Sequence, residues 1–225
     1  MVKKRKRKTF AWQPKNQFIY KLMSSPLGVI IINWVFQGIL GMDSSERIFK
    51  VGLDIALTIL FTFVLSSILN LWLAIVIGFI IAHTVNWVFN GHLFVIGRFV
   101  GFTKTPPRKI WDYMKGIKDR AQHKPFLAGV AVFGAVTRGE GIRETSDVDI
   151  RFIKERGFWN ALLANWYSMY ERTRAVFHRF PLDLYLYDGL DSLNRLRKDE
   201  QPIILYDPKG LLQEKYKERG FRLLS

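Results

Sequence analysis

IALTILFTFVLSSILNLWLAIVIGFIIAHTVNWVFNGHLFVIG, residues 55–97, contains no Asp, Glu, Lys or Arg. As one straight helix it would reach about 64 Å at ~1.5 Å per residue. The hydrocarbon core of a bilayer is only ~30 Å thick and takes ~20 residues per crossing. The run therefore reads as two apolar helices joined by a turn. The polar break Ser66-Ser67-Ile-Leu-Asn70 is the expected turn, placing helices near 49–67 and 70–90 in a transmembrane hairpin about 49–90. Trp72 and Trp87 then fall near opposite ends of the second helix, where indole rings favour the membrane interface. The opposing reading is a helical hairpin buried inside a water-soluble fold. It is disfavoured because the residues that follow must also bury a core of their own.

Outward from the hairpin, basic residues lie on both outer flanks. Lys3 to Lys8, Lys15, Lys21, Arg47 and Lys50 precede it, and Arg98, Lys104, Arg108 and Lys109 follow it. The turn carries no charge. Under the positive-inside rule both hairpin ends, and with them the tail and the C-terminal half, are expected on the cytoplasmic face of the membrane. Leu27 to Met42 is a further uncharged stretch, interrupted by Gly28, Gly38 and Gly41. It is short for a crossing and reads as an interfacial or hairpin-packing segment. The run Lys3-Lys-Arg-Lys-Arg-Lys8 is open to three readings: nuclear signal, nucleic-acid arm or anionic-lipid clamp. Beside a membrane hairpin the lipid clamp is favoured over nucleic acid. Residues 1–26 are accordingly read as a basic cytoplasmic tail and 27–102 as the membrane-embedded helical region.

The whole chain has 225 residues, 34 Lys+Arg against 19 Asp+Glu, a net charge of +15 and no cysteine. That length suits one ordinary domain plus an appendage. The absence of cysteine excludes a disulfide scaffold, a thiol nucleophile, an iron–sulfur cluster and a cysteine zinc site. Residues 1–102 hold only Asp43, Glu46 and Asp54 as acids, whereas 103–225 hold the mixed charge of a water-soluble domain. Thr103-Lys-Thr-Pro-Pro-Arg-Lys109 separates the two, a linker whose Pro-Pro pair interrupts any helix. The second domain then occupies 110–225.

That domain opens with a helix expected over 108–122, followed by Phe126-Leu-Ala-Gly-Val-Ala-Val-Phe133, a buried strand ending at Gly134-Ala135. A Gly- and charge-rich turn leads into Thr145-Ser-Asp-Val-Asp-Ile-Arg-Phe152, a second strand. Side chains alternate along a strand, so Asp147 and Asp149 share one face while Val148, Ile150 and Phe152 take the other. Two carboxylates at such positions repel unless a cation lies between them. A helix is expected over 158–178. Leu182-Asp-Leu-Tyr-Leu-Tyr187 follows as a third strand, with its leucines toward the core and Asp183, Tyr185 and Tyr187 opposite. If it pairs beside the Asp147/Asp149 strand, Asp183 completes a three-carboxylate cluster. Hard oxygen donors on rigid strands suit Mg²⁺, and two such ions would serve an in-line displacement. The fold class is therefore α+β, a sheet with flanking helices preceded by an α-helical transmembrane hairpin.

The run Phe133-Gly-Ala, Arg138-Gly-Glu140, Ser146-Asp-Val-Asp-Ile150 and Leu182-Asp-Leu184 resembles the polymerase-beta-like nucleotidyltransferase superfamily in its minimal form. Pro202-Ile-Ile-Leu-Tyr-Asp-Pro208 is similar to a strand and turn near the end of small members. The likeness covers roughly residues 108–210 and implies a nucleotidyltransferase-like fold, a small mixed sheet with flanking helices. It implies that Asp147 and Asp149 hold a metal-bound triphosphate and that Asp183 binds the catalytic metal and helps draw a proton from the acceptor hydroxyl. It further implies that backbone N–H groups near Gly134 and Ala135, together with Arg138 and Ser146, form the nucleotide site. The family usually has Ser where this chain has Ala135, which removes a hydroxyl donor to phosphate.

The resemblance implies a nucleotidyltransferase using NTP and Mg²⁺; the hairpin, which the resemblance does not cover, adds a membrane anchor, with membrane lipids as partners of the hairpin and tail and an acceptor expected at the membrane surface. Three alternatives stand beside it. The first is a catalytically inactive, nucleotide-binding membrane adaptor, the second a glycosyltransferase using Asp-x-Asp, and the third a nucleic-acid-binding protein. Among individual residues, Arg143 and Arg151 read better as solvated charges than as site residues, and Asp188, Asp191 and Asp207 as caps or turn formers. His83 and His92 are expected to make helix–helix hydrogen bonds. Trp159, Trp166 and Tyr170 are expected in the core or its rim.

Overall fold

The computed structural model describes residues 16–93, 105–137 and 148–224. The Lys3–Lys8 run lies outside the described residues. Helices α1 (Gln17–Met23) and α2 (Pro26–Phe36) meet at a bend of 76°. Ser25 starts α2 by accepting a hydrogen bond from the Gly28 N–H at 3.1 Å, and Pro26 takes the first helical position, where no N–H is needed. The hairpin follows as α3 (Ser44–Leu65) and α4 (Leu71–Phe89), with the turn where the polar break was expected. Asn70 caps α4, its side-chain oxygen accepting from the Leu73 N–H at 3.0 Å.

Both hairpin helices are long and apolar enough to cross a membrane. The reading as a hairpin buried inside a soluble fold does not hold: Ile59, Phe63, Ile68, Leu71 and Trp72 are all exposed. The two legs approach closely at Gly78, where a Cβ would lie 2.8 Å from the Thr62 hydroxyl oxygen and 3.0 Å from its backbone nitrogen. A small residue at that crossing lets the backbones pack. The polar side chains turn inward. His83 Nδ1 lies 2.7 Å from Asp54 Oδ2, and Asn86 donates to Asp54 Oδ1 at 2.7 Å. Lys50 Nζ donates to the Gln37 carbonyl at 3.3 Å and lies 3.2 Å from His92 Nε2, so both histidines bridge helices as expected.

Helix α2 packs across this hairpin. Trp34 Nε1 donates to Thr84 Oγ1 at 3.1 Å, Trp87 Nε1 to Asn33 Oδ1 at 2.8 Å, and Gln37 Nε2 to the His83 carbonyl at 3.0 Å. The α4 partners all lie within residues 83–87, little more than one turn at ~3.6 residues per turn, so α2 crosses α4 instead of running alongside it. Leu27 to Met42 is thus a hairpin-packing segment. The expectation for Trp87 is corrected: it lies buried beneath α2, while Trp72 stands exposed near the turn.

The remaining elements are α5 (Pro107–Ala121), β1 (Leu127–Phe133), β2 (Val148–Lys154), α6 (Phe158–Phe177), β3 (Leu182–Tyr187), β4 (Ile203–Tyr206), α7 (Leu211–Tyr216) and β5 (Arg222–Leu223). The strands form one mixed sheet in the order β3-β2-β1-β4-β5, with β2/β3 and β4/β5 parallel and the β1 pairings antiparallel. The chain is α+β with a small five-stranded sheet and flanking helices. Of the expected linker, the described residues 105–109 are packed against the fold: Thr105 is buried, its hydroxyl donates to the Arg179 carbonyl at 3.1 Å, and Pro107 already begins α5.

One sheet face carries the main core. Ile110, Met114 and Ile117 of α5 and Ala164, Tyr167 and Ala175 of α6 pack on Val148, Ile150, Phe152, Leu184 and Leu186. The two helices are tied by Arg120, whose Nε and Nη2 donate to the buried Glu171 at 2.6 and 2.8 Å. The opposite face carries a second apolar layer, unforeseen from the alternation of β3. There Ala131, Phe133, Ile153 and Tyr187 meet Leu193, Leu212 and Tyr216. This layer closes the face at the C-terminal ends of β2 and β3 and leaves their N-terminal ends partly open, where Asp149 and Asp183 sit.

The hairpin base seals the exposed side of edge strand β3. Glu46 accepts from the Leu186 N–H at 3.0 Å and forms a buried ion pair with Arg172. Asp43 accepts from the Asp188 N–H at 2.8 Å, while the Asp188 carboxylate accepts from the Ser45 N–H at 3.2 Å at the start of α3. A free strand edge is a template for unwanted pairing, and these carboxylates occupy part of it.

Candidate functional site

The site is built where three strand ends meet. Parallel pairing of β2 with β3 sets Asp149 directly opposite Asp183, and antiparallel pairing of β1 with β2 sets Phe133 opposite Asp149. Neighbouring strands lie ~4.8 Å apart, so two carboxylates on one face at paired positions form a concentrated negative site. Val148, Ile150 and Phe152 on the buried face hold β2 in this register; a slip by one residue would turn all three toward the other side.

Gly134 follows β1 with φ +81°, and a Cβ added there would meet Asp149 Oδ2 at 2.0 Å. The Asp149 carboxylate therefore rests against the glycine Cα, in space no other residue leaves open. Ala135 follows in a 3-10 turn, Gly134–Val136, which Thr137 closes by donating its N–H and hydroxyl to the Gly134 carbonyl at 3.1 and 2.9 Å.

Arg151 belongs to this cluster, which corrects its reading as a solvated surface charge. Its side chain is 9% exposed, with Nη2 3.5 Å from Asp149 Oδ1. Nη1 donates to the Asp183 carbonyl at 2.9 Å, and the guanidinium carbon stands 4.9 Å from the centre of the Tyr185 ring. Burial opposes the charge on Arg151, but the carboxylates of Asp183 and Asp149 outweigh it and hold the guanidinium protonated. Burial and the Asp183 charge push the Tyr185 phenol up, so it stays neutral. A sequence signal for Arg151 did exist: it lies two residues after Asp149 on the same strand face.

The site also touches the hairpin base. A Cβ on Gly38 or Gly41, in the connection between α2 and α3, would lie 3.5 Å from the Tyr185 hydroxyl. Tyr185, Arg151 and Asp149 thus form a continuous path from that connection to Gly134.

The sheet brings together Asp149, Asp183 and Gly134 of the expected site residues. Asp147, Arg138 and Ser146 lie outside the described residues. Among the described residues no three His, Asp or Glu side chains gather as metal ligands. Asp149 and Asp183 fit a divalent cation as a pair of hard oxygen donors on rigid strands. The positive charge they require is supplied in part by Arg151. Compared with known protein families, curated proteins and solved structures, the chain finds no match.

Proposed function

We propose that the protein is a membrane-anchored, Mg²⁺-dependent nucleotidyltransferase that moves a nucleoside monophosphate from an NTP to a hydroxyl acceptor and releases pyrophosphate. The observation that carries this reading is the in-register pair Asp149 and Asp183, with the Asp149 carboxylate laid on Gly134 at the end of β1. It is the juxtaposition that the resemblance to the polymerase-beta-like superfamily implies for its motifs.

Bound at this pair and Asp147, Mg²⁺ would neutralise triphosphate charge and activate the acceptor hydroxyl. Gly134 admits the close backbone approach that a phosphate needs, with the neighbouring N–H groups as donors. Asp183 orients the acceptor and takes its proton as the hydroxyl oxygen bonds to the α-phosphorus and the bond to the β-phosphate oxygen breaks. By the resemblance, Ser146 and Arg138 would contribute to triphosphate binding. Arg151, 3.5 Å from the Asp149 carboxylate and bonded to the Asp183 carbonyl, holds a positive charge beside the pair. Such catalysis is mainly positioning and electrostatics.

The two apolar helices and the basic flanks support a hairpin in the bilayer with the tail and the catalytic domain on the cytoplasmic face. The anchor favours an acceptor at the membrane surface, with lipids as partners of the hairpin and tail. A second reading, a nucleotide-binding adaptor without turnover, draws on Ala135 in place of the usual Ser and on the guanidinium already paired to Asp149.

The test is label transfer from each α-³²P-labelled NTP with Mg²⁺, using full-length protein with its own membranes and cytosol. Label in a lipid, protein or RNA fraction that disappears in Asp149→Asn supports the enzyme and reveals its acceptor class. Retained Mg²⁺–NTP binding without transfer of any label contradicts turnover and favours the adaptor.

A further inference from the structure

Helix α6 presents an aromatic face that the described elements leave largely open. Trp159, Leu163, Trp166, Tyr170 and Phe177 are exposed by 46% to 81%, and Phe158 by 74%. At ~100° per residue the first five fall within about 60° of arc, a single stripe along the helix. Ala164, Tyr167, Ser168, Glu171 and Ala175, which are buried, occupy the far side. Of the residues expected in the core or its rim, Trp166 and Tyr170 are half exposed at the rim, while Trp159 stands outside it. Isolated exposed apolar residues are ordinary on a protein surface, but a contiguous aromatic stripe marks an interaction surface.

The position of α6 points to the occupant. At the base of α3, Asn165 Nδ2 donates to the Ser45 carbonyl at 3.4 Å, and Trp166 meets Phe49 edge-on at 5.2 Å. At the end of α4, Arg172 Nη1 donates to Asn90 Oδ1 at 3.0 Å and Thr173 Oγ1 to the Phe89 carbonyl at 2.8 Å. These two contact points are seven residues apart, or about 10 Å at ~1.5 Å per residue, which matches the 8–10 Å spacing of packed helices. Arg172 also pairs with Glu46 of α3, so α6 is tied to the bases of both hairpin legs. With the legs in a bilayer, α6 lies at the membrane end of the sheet domain. Its stripe is continuous with the apolar hairpin surface, since Trp166 belongs to both.

Charge agrees with this placement. From Arg156 to Leu182 the only acid is Glu171, which is buried and paired with Arg120, while Arg156 and Arg179 lie exposed near the two ends of the helix. Aromatic rings between basic residues fit the headgroup layer of an anionic membrane.

We propose that the Trp159/Leu163/Trp166/Tyr170/Phe177 face of α6 is seated in the lipid headgroup region, so that the sheet domain is laid against the membrane surface. The proposal rests on the hairpin being in lipid. Because α6 connects β2 to β3, the strands carrying Asp149 and Asp183, seating it also fixes the height of the carboxylate pair above the bilayer.

The chain has no cysteine, so single nitroxide labels can be introduced without background. Full-length Leu163→Cys and Phe177→Cys are labelled and reconstituted in phosphatidylcholine/phosphatidylglycerol vesicles. Ile59→Cys reports on the hairpin, and Lys217→Cys, at a side chain 73% exposed on α7's C-terminal side, serves as the aqueous control. Accessibility to dissolved oxygen and to a water-soluble nickel chelate is then read by electron paramagnetic resonance. The expected result is nickel accessibility several-fold lower at 163 and 177 than at 217, with oxygen accessibility raised toward that of 59. Nickel accessibility at 163 and 177 equal to that at 217, with 59 in lipid, overturns the seating alone. Shielding from both reagents overturns it in favour of a protein partner. An aqueous label at 59 overturns both the seating and the bilayer reading of the hairpin.

Discussion

The hairpin and the sheet domain sort their residues in opposite senses. On α3 and α4 the outward surface is Ile59, Phe63, Trp72 and Phe79, while Lys50, His83 and Asn86 are buried. In the sheet domain Phe133, Phe152, Ile150 and Leu186 fill the interior and the charges lie mostly outside. Each arrangement suits a different solvent. Lipid tails offer no hydrogen bonds, so polar groups in that setting must find partners in the protein. The two regimes meet at the edge of β3, where Glu46, Asp43, Arg172 and Asp188 share one network.

Paired substitutions on the two sides sharpen this contrast. Phe152→Ala, in the sheet core, is expected to destabilise by ~3–5 kcal/mol, read as a large fall in the thermal midpoint of the purified protein. Glu46→Ala strikes the junction itself, leaving Arg172 buried without its carboxylate and the Leu186 N–H without its acceptor. The expected cost is again ~3–5 kcal/mol, and Glu46→Leu combined with Arg172→Met should recover much of it. A double variant no better than Glu46→Ala would show that the junction needs ions and not merely packing.

Gly134→Ala introduces a methyl group into the space held by Asp149 and forces a positive φ on a residue with a side chain. About 1–3 kcal/mol of destabilisation is expected, together with loss of Mg²⁺-dependent nucleotide binding measured by calorimetry. Asp43 gives a smaller, pH-dependent effect. Burial would raise its pKa, but the Ser192 hydroxyl, the Asp188 N–H and Arg195 together hold it below the usual aspartate range. A carboxyl lowered on folding stabilises fully above its unfolded pKa and loses that contribution as pH falls through the folded value. Denaturant midpoints should therefore fall below about pH 4 in the wild type and be less acid-sensitive in Asp43→Asn. Smallest of all is Phe63→Ala, on the outward hairpin face, expected within ~0.5 kcal/mol in detergent or bilayer. A loss there as large as that of Phe152→Ala would mean that the surface is covered by protein.

Local patterns made much of this legible. The charge-free run and its Ser-Ser-Ile-Leu-Asn break located α3, the turn and α4 because lipid length and turn chemistry are local constraints. Alternation along 148–152 and 182–187 placed β2, β3 and the faces of Asp149 and Asp183. What stayed hidden depended on distant pairing. Arg151 looks like a surface charge until β3, some thirty residues later, brings Asp183 and Tyr185 beside it. The junction is similar, since Glu46 gains its meaning only from Leu186 and Arg172. The stripe on α6 misled because Trp and Tyr at helical spacing read equally well as core.

Asp149 and Asp183 are proposed to act together as a cation-dependent nucleotide site on a membrane-anchored domain. Equilibrium binding of labelled NTP to full-length protein in nanodiscs, with and without Mg²⁺, tests it most directly in the wild type, Asp149→Asn and Asp183→Asn. Binding is expected to require Mg²⁺ and to be lost in each variant while the thermal midpoint is retained. Binding that ignores Mg²⁺, or that survives both substitutions, would contradict it.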